Sequence, residues 1–237
     1  MERKIVEKDR INRRLFLRLA GGTMGAVSLG LLIPNNKVSL ASEIAFPESS
    51  CGGEIKMNRK ILIAYTSKYG STAGVADAIA KELCNKGASV DVRLINKVTN
   101  LSIYQAVIVG SPIYKGKWMP AAVKFLEENS GMLSKIPVAY FVVCITMQNP
   151  TEENRQKALA YLDPVLHSVP QVRLVKIGLF AGALHYDRLS WLMSKILKAK
   201  GLPEGDFRNW DTIRAWAANL YEIHGSANSF CPASSEA

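Results

Sequence analysis

The chain has 237 residues, 48% hydrophobic and 21% charged, with a formal net charge of +10, which suits a folded globular protein with one sizeable core and appendages. The charge divides evenly, +5 over residues 1–41 and +5 over the rest. The body is therefore only modestly basic; it does not call for nucleic acid and is as compatible with an anionic membrane surface or an acidic small molecule. Four cysteines without Cys-x-x-Cys spacing argue against a zinc or iron–sulfur site, so no metal is expected.

The N-terminal stretch Asn12-Arg13-Arg14-Leu15-Phe16-Leu17-Arg18 resembles the twin-arginine export motif. An uncharged run from Leu19 to Ile33 follows, diluted by Gly21, Gly22, Gly25 and Gly30, and Ser39-Leu40-Ala41 supplies a small-x-small cleavage site. Residues 1–41 are therefore expected to be a twin-arginine signal peptide, with an uncleaved anchor as the alternative. Export places the protein in the periplasm or on the outer face of the cytoplasmic membrane. Residues 42–58, with Pro47, Ser49, Ser50, Gly52 and Gly53, read as a linker. Cys51 and Cys231, in the flanks, are free to pair in an oxidising compartment. Cys84 and Cys144 lie on apolar faces and read as core residues.

Residues 59–224 read as the folded domain. Lys60 to Tyr65 is an apolar run, a candidate buried strand. Thr66, Ser67, Lys68, Tyr69, Gly70, Ser71 and Thr72 follow, and then a helical pattern through Val75, Ala76, Ile79, Ala80, Leu83 and Cys84. Strand, hydroxyl-rich turn and helix offer free backbone N–H groups to an anion. Neither Gly-x-x-x-x-Gly-Lys-Ser/Thr nor Gly-x-Gly-x-x-Gly is present, which argues against a nucleotide triphosphatase or an ordinary dinucleotide site. A single phosphate held by hydroxyls and backbone fits better.

Gly87 stops the helix, and Val90, Val92, Leu94 and Ile95 form a second strand, nearer an edge. Ala106 to Gly110 is a continuous apolar run, as in a strand covered on both faces. It leads into the loop Ser111-Pro112-Ile113-Tyr114-Lys115-Gly116-Lys117-Trp118, where Tyr114 suits stacking on a flat ring and Trp118 suits helix-entry packing. Pro120 to Asn129 is a helix and Pro137 to Ile145 a fourth strand, ending in the polar loop Thr146-Met147-Gln148-Asn149-Pro150. Thr151 to Val169 is helical with a bend at Pro164, Val172 to Phe180 a fifth strand, and Asp211 to Ile223 a final amphipathic helix. Residues 225–237 read as a disordered tail. The alternation implies an α/β fold, a doubly wound parallel sheet with helices on both faces and ligands at the carboxyl ends of the strands.

This pattern resembles a flavodoxin-type domain. The resemblance implies a five-stranded sheet of order 2-1-3-4-5, with FMN at the junction of strands one and three. By that resemblance residues 66–72 hold the FMN phosphate. Ser111, Pro112, Ile113, Tyr114, Lys115 and Gly116 border the flavin ring on one side, and Thr146, Met147, Gln148 and Asn149 on the other. A further resemblance lies in Ala181-Gly182-Ala183-Leu184-His185-Tyr186 and in the segment 187–208, with Trp191 to Lys200, Gly201, Asp206 and Asn209-Trp210-Asp211. It is similar to an element of the menaquinone-dependent protoporphyrinogen oxidase family, with His185 where that family has Arg. This implies electron transfer from an organic donor to a quinone.

Leu189, Leu192, Met193, Ile196 and Leu197 line one face of 187–200, with Arg188, Lys195, Lys198 and Lys200 around it. A basic amphipathic helix either buries its apolar face on its own domain or lies on an anionic membrane. His185, Tyr186 and Arg188 are the candidates for substrate contact and catalysis. Three functions follow: an FMN oxidoreductase passing electrons from an organic donor to a quinone or redox partner protein, an exported flavodoxin-like carrier without its own substrate, or a binding protein on the same fold that has lost flavin. The basic body and the segment 187–200 favour the first.

Overall fold

The chain joins its sheet earlier than the sequence suggests. Ser49–Cys51 form a short strand, β1, antiparallel to β3 (Ser89–Leu94), with Ser49 opposite Val92 and Cys51 opposite Val90. The computed structural model describes residues 48–51 and 60–227, with side chains as far as 222; the twin-arginine segment, Cys231 and residues 228–237 lie outside this range. Part of the expected linker 42–58 is therefore structured. Two serines and a cysteine carry no periodic signal; the open edge of β3 selects them. The Glu48 carboxylate accepts from the Leu94 N–H at 3.3 Å and from Lys97 Nζ at 3.0 Å, and Arg93 donates to the Ser49 carbonyl and to Ser50 Oγ.

Cys51 is disulfide-bonded to Cys84, with Cα atoms 6.2 Å apart. This corrects two expectations: Cys84 is not a free core residue, and Cys51 is not left to pair with Cys231. Cys144 is buried and free.

The remaining strands are β2 (Lys60–Tyr65), β4 (Ala106–Tyr114), β5 (Lys117–Trp118), β6 (Val138–Val143) and β7 (Leu174–Phe180), and the sheet order is β1-β3-β2-β4-β6-β7. Pairings among β3, β2, β4, β6 and β7 are all parallel. This is the expected five-stranded order with two antiparallel strands added, β1 on β3 and β5 folded back on β4, so the second predicted strand is not the edge.

Side chains alternate across the sheet. Ile61, Ile63 and Tyr65 of β2 face α1 (Ser71–Asn85) and α7 (Trp210–Ala227), whose Ile79, Leu83, Ile213 and Leu220 are fully buried. Leu62 and Ala64 face the other layer, where α2 (Pro120–Glu128), α3 (Ser130–Leu133), α4 (Glu152–Ala160) and α5 (Asp163–Ser168) supply Phe125, Leu126, Leu133, Ala158 and Val165. Burying each large apolar side chain contributes roughly 1.5–3 kcal/mol. The break between α4 and α5 falls just before Pro164. Gly110 in β4 lies against Phe141 so closely that a Cβ there would sit 1.9 Å from its ring. α7 continues through residue 227, three residues into the expected tail.

Between β7 and α7 the chain makes an excursion. β8 (Ala183–Leu184) and β9 (Gly205–Asp206) pair antiparallel, and the loop between them carries one helix, α6 (Trp191–Ala199). Only these nine residues of the expected segment 187–208 are α-helical. Among the described residues no helix is long and apolar enough to cross a membrane.

Candidate functional site

The site is built at the carboxyl end of β2. The Thr66 N–H donates to the Gly110 carbonyl at 2.9 Å, extending the ladder by one residue. The chain then turns through Gly70, whose φ of 84° is left-handed and suits a residue without Cβ. α1 starts at once and no side chain caps it. Its first N–H groups have no acceptor within the helix, and its dipole adds partial positive charge there.

The hydroxyls complete the cradle. Ser67 Oγ accepts from the Gly70 N–H at 3.1 Å and Ser71 Oγ from the Ala183 N–H at 2.8 Å. Each keeps its own proton to donate elsewhere. Thr66 and Thr72 are buried, and their Oγ1 atoms have no hydrogen-bond partner in the structure. An unsatisfied buried hydroxyl costs about 1–3 kcal/mol. Of the predicted cradle, Ser67, Lys68, Tyr69, Ser71 and Thr72 line the cleft, whereas Thr66, at the end of β2, and Gly70 lie behind it. The unpartnered hydroxyl of Thr72 at an uncapped helix start, with that of Thr66 beneath it, forms a donor set suited to a phosphate dianion, and in this respect the residues fit FMN.

The second wall comes from β4, which runs past the expected loop boundary and turns back into β5. Lys115 and Gly116, at φ 53° and 75°, form the two-residue turn of this hairpin, the left-handed pair of a type I′ turn. Pro112, Ile113 and Tyr114 line the cleft, whereas Lys115 and Gly116 do not. Ser111 is fully buried; its hydroxyl accepts from the Met119 N–H at 3.0 Å and donates to the Pro112 carbonyl at 2.9 Å. It fastens the hairpin and does not line the cleft. Trp118 is a core residue as expected, its ring edge-on to Tyr140 at 5.3 Å.

Lys68 holds its ammonium 3.7 Å from the centre of the Tyr114 ring, and Lys115 lies 5.6 Å away. A hydrogen bond from Lys68 moves the Tyr114 phenol below its ordinary pKa, and the same contact raises that of Lys68. Tyr114 thus already engages a cation at the mouth. The cleft measures about 170 Å³, below the roughly 300 Å³ of small ligand pockets. The cleft is open to solvent, so a bound mononucleotide would extend past its rim.

The third wall differs from the expected one. Ile145–Gln148 form a single tight turn that buries Met147, and Asn149 accepts from Thr151 and Asn154 at the start of α4. Val143, Cys144 and Ile145 line the cleft; Thr146, Met147, Gln148 and Asn149 do not. The strand delivers its last residues to the mouth and the turn carries the next ones away. Burial raises the pKa of the Cys144 thiol.

A fourth wall comes from the excursion: Gly182, Ala183, Leu184, Leu197 and Leu202. A Cβ at Gly182 would stand 3.0 Å from Ser71 Oγ, so a small residue lets the chain pass the cradle. Leu197 and Leu202 were not foreseen, since no local pattern says where an excursion folds back.

His185, Tyr186 and Arg188 sit at the base of the excursion and not on the cleft lining. The Tyr186 hydroxyl donates to the Leu202 carbonyl and its N–H to Glu204 Oε1, with Lys198 4.7 Å above its ring. His185, Asp187 and Glu204 bring side-chain N and O atoms within 4.8 Å of one another, and Arg188 is exposed.

Comparison with known proteins matches residues 62–201 to the family described as "Flavodoxin domain". The chain is 25% identical over 175 residues to protoporphyrinogen IX dehydrogenase (quinone) of Escherichia coli (strain K12), covering 69% of this chain and 96% of that one. It is 27% identical over 177 residues to the protein of the same name from Leishmania major, covering 68% and 74%. Among solved structures, a flavodoxin from the domain Archaea aligns at a TM-score of 0.46 and 16% identity, covering 69% of this chain and 97% of that one. Oxidised flavodoxin 2 from Bacillus cereus aligns at 0.45 and 19%, covering 69% and 99%. With more than half its length matched and a sheet of the flavodoxin order, this chain belongs to the flavodoxin domain family, whose cofactor is FMN.

Proposed function

We propose that this protein is an exported FMN oxidoreductase that takes electrons from an organic donor and delivers them to a quinone, with protoporphyrinogen IX as the candidate donor. FMN, when bound, supplies the electron transfer; the chain supplies binding, orientation and shielding from water. Thr66, Ser67, Ser71, Thr72 and the first N–H groups of α1 would hold the phosphate. Pro112, Ile113 and Tyr114 would flank the ring.

The observation that carries the reading beyond a simple electron carrier is the apolar fourth wall, Leu184, Leu197 and Leu202. A carrier that meets its partners through an exposed flavin edge has no need of such a wall, whereas an apolar substrate or quinone does. The names of the Escherichia coli and Leishmania relatives point the same way. The Cys51–Cys84 disulfide supports export, because such bonds persist mainly in oxidising compartments.

The test is anaerobic reduction of a menaquinone analogue by the FMN-loaded protein, with protoporphyrinogen IX as donor. Turnover that falls when Leu197 and Leu202 are replaced by Asn supports the reading. An FMN-loaded protein that reduces no quinone from this or other organic donors, yet exchanges electrons with redox proteins, is the carrier instead.

A further inference from the structure

Five large hydrophobic side chains are exposed among the described residues, and three of them, Trp191 at 71%, Leu192 at 53% and Ile196 at 39%, share the outer side of α6. The sequence groups Leu192 and Ile196 with Leu189, Met193 and Leu197 on one apolar face, open either to its own domain or to a membrane. The structure splits that set: Met193 and Leu197 turn inward, Leu197 to the cleft, and Leu192 and Ile196 turn out.

Along the chain the charged residues of this stretch are basic, with Asp187 and Glu204 flanking it at the base of the excursion. No acidic residue occurs from 188 to 203, while Arg188, Lys195, Lys198 and Lys200 do. Lys195 lies 5.1 Å over the Trp191 ring, a cation beside an amphipathic aromatic that prefers the interface between water and lipid headgroups. Three side chains on a nine-residue helix offer too little area for a stable protein–protein interface, which needs about 1,000 Å². A bilayer needs only an apolar stripe to bury and bases to meet its anionic headgroups.

We propose that the outer face of α6 docks on an anionic lipid bilayer, with Trp191, Leu192 and Ile196 entering the headgroup region and Lys195 and Lys198 bound to lipid phosphates. The opposite face of the same helix lines the cleft through Leu197, so the bilayer surface and the cleft lie on two sides of one helix. The docking extends the redox reading without depending on it.

The test uses the full chain and vesicles of phosphatidylcholine, with or without phosphatidylglycerol, carrying brominated acyl chains. The emission of Trp191, taken as the difference between the native chain and Trp191→Phe, is expected to shift to the blue and be quenched on the anionic vesicles. Lys195→Gln with Lys198→Gln is expected to weaken that quenching titration about twenty-fivefold, from roughly a fivefold contribution per base. Both lysines are exposed, and an unchanged melting temperature shows that the fold is retained. Vesicle binding without Trp191 quenching, as attachment through another segment would give, overturns the proposal. So does equal quenching on neutral vesicles, or self-association through α6 that leaves no lipid contact.

Discussion

Thr66 and Thr72 carry buried hydroxyls that the protein itself leaves unsatisfied, and this separates their role in binding from their role in stability. Replacing both by Val removes two donors and keeps the shape. FMN affinity is expected to fall at least about tenfold, since hydrogen bonds to charged groups contribute about 1.5–3 kcal/mol each. The melting temperature of the flavin-free variant should hold or rise, because the unsatisfied groups are gone. Fluorescence titration with FMN and thermal unfolding check both halves. Asp91 provides a second residue-scale prediction. Burial would raise its pKa, but hydrogen bonds from Tyr104 at 2.7 Å, Ser50 and Lys60 outweigh that and lower it below the ordinary 3.8. Burial, and then the bond to Asp91, push Tyr104 up to about 12. A carboxyl group depressed in the fold stabilises above its unfolded pKa, and that contribution is lost as pH falls through the folded value. Urea unfolding should therefore show Asp91→Asn less stable than the native chain by about 1–3 kcal/mol at neutral pH. The gap should close below about pH 4.

At the scale of elements, the disulfide ties β1 to α1 across a sequence separation of 33 residues. Loop entropy puts its contribution at about 3–4 kcal/mol. Reductant, or Cys51→Ser with Cys84→Ser, is expected to lower the urea midpoint and to speed amide exchange in β1 while β2, β4 and β6 stay protected. Thiol labelling of the unfolded, unreduced chain at Cys84 would contradict the pairing. The strands of this sheet were legible because Ile61 to Tyr65, Ala106 to Gly110 and Val138 to Val143 are apolar runs bounded by turns. β1 was not, because Ser49, Ser50 and Cys51 become a strand only through a partner edge. The hairpin at Lys115-Gly116 looks like a loop in the sequence because its usual marker, Asn-Gly or Asp-Gly, is replaced by Lys-Gly. The third wall lies a few residues earlier than the sequence suggests: the strand pattern ends at Ile145, and nothing local shows that Thr146 to Asn149 turn away from the cleft.

For the molecule as a whole, parallel strands with short connections bring three loops to one end of the sheet, and this much follows from alternation alone. The cradle at 66–72 was legible for the same reason, since strand, hydroxyls and helix are contiguous in sequence. The wall of Leu184, Leu197 and Leu202 depends on how an excursion of about twenty residues folds back, a long-range choice set by Tyr186 pinned to Leu202 and Glu204 and by Ser71 held to Ala183. Cofactor cradle and apolar wall therefore share one anchor, Ser71. The most direct measurement of the central claim is the visible spectrum and FMN content of the purified full chain, alongside Thr66→Val with Thr72→Val. The expected result is a yellow native protein with about one FMN per chain and a variant that loses the flavin on dialysis while staying folded. A folded native protein that stays colourless and takes up no FMN on titration, or a variant that retains it as well as the native chain, would contradict the account.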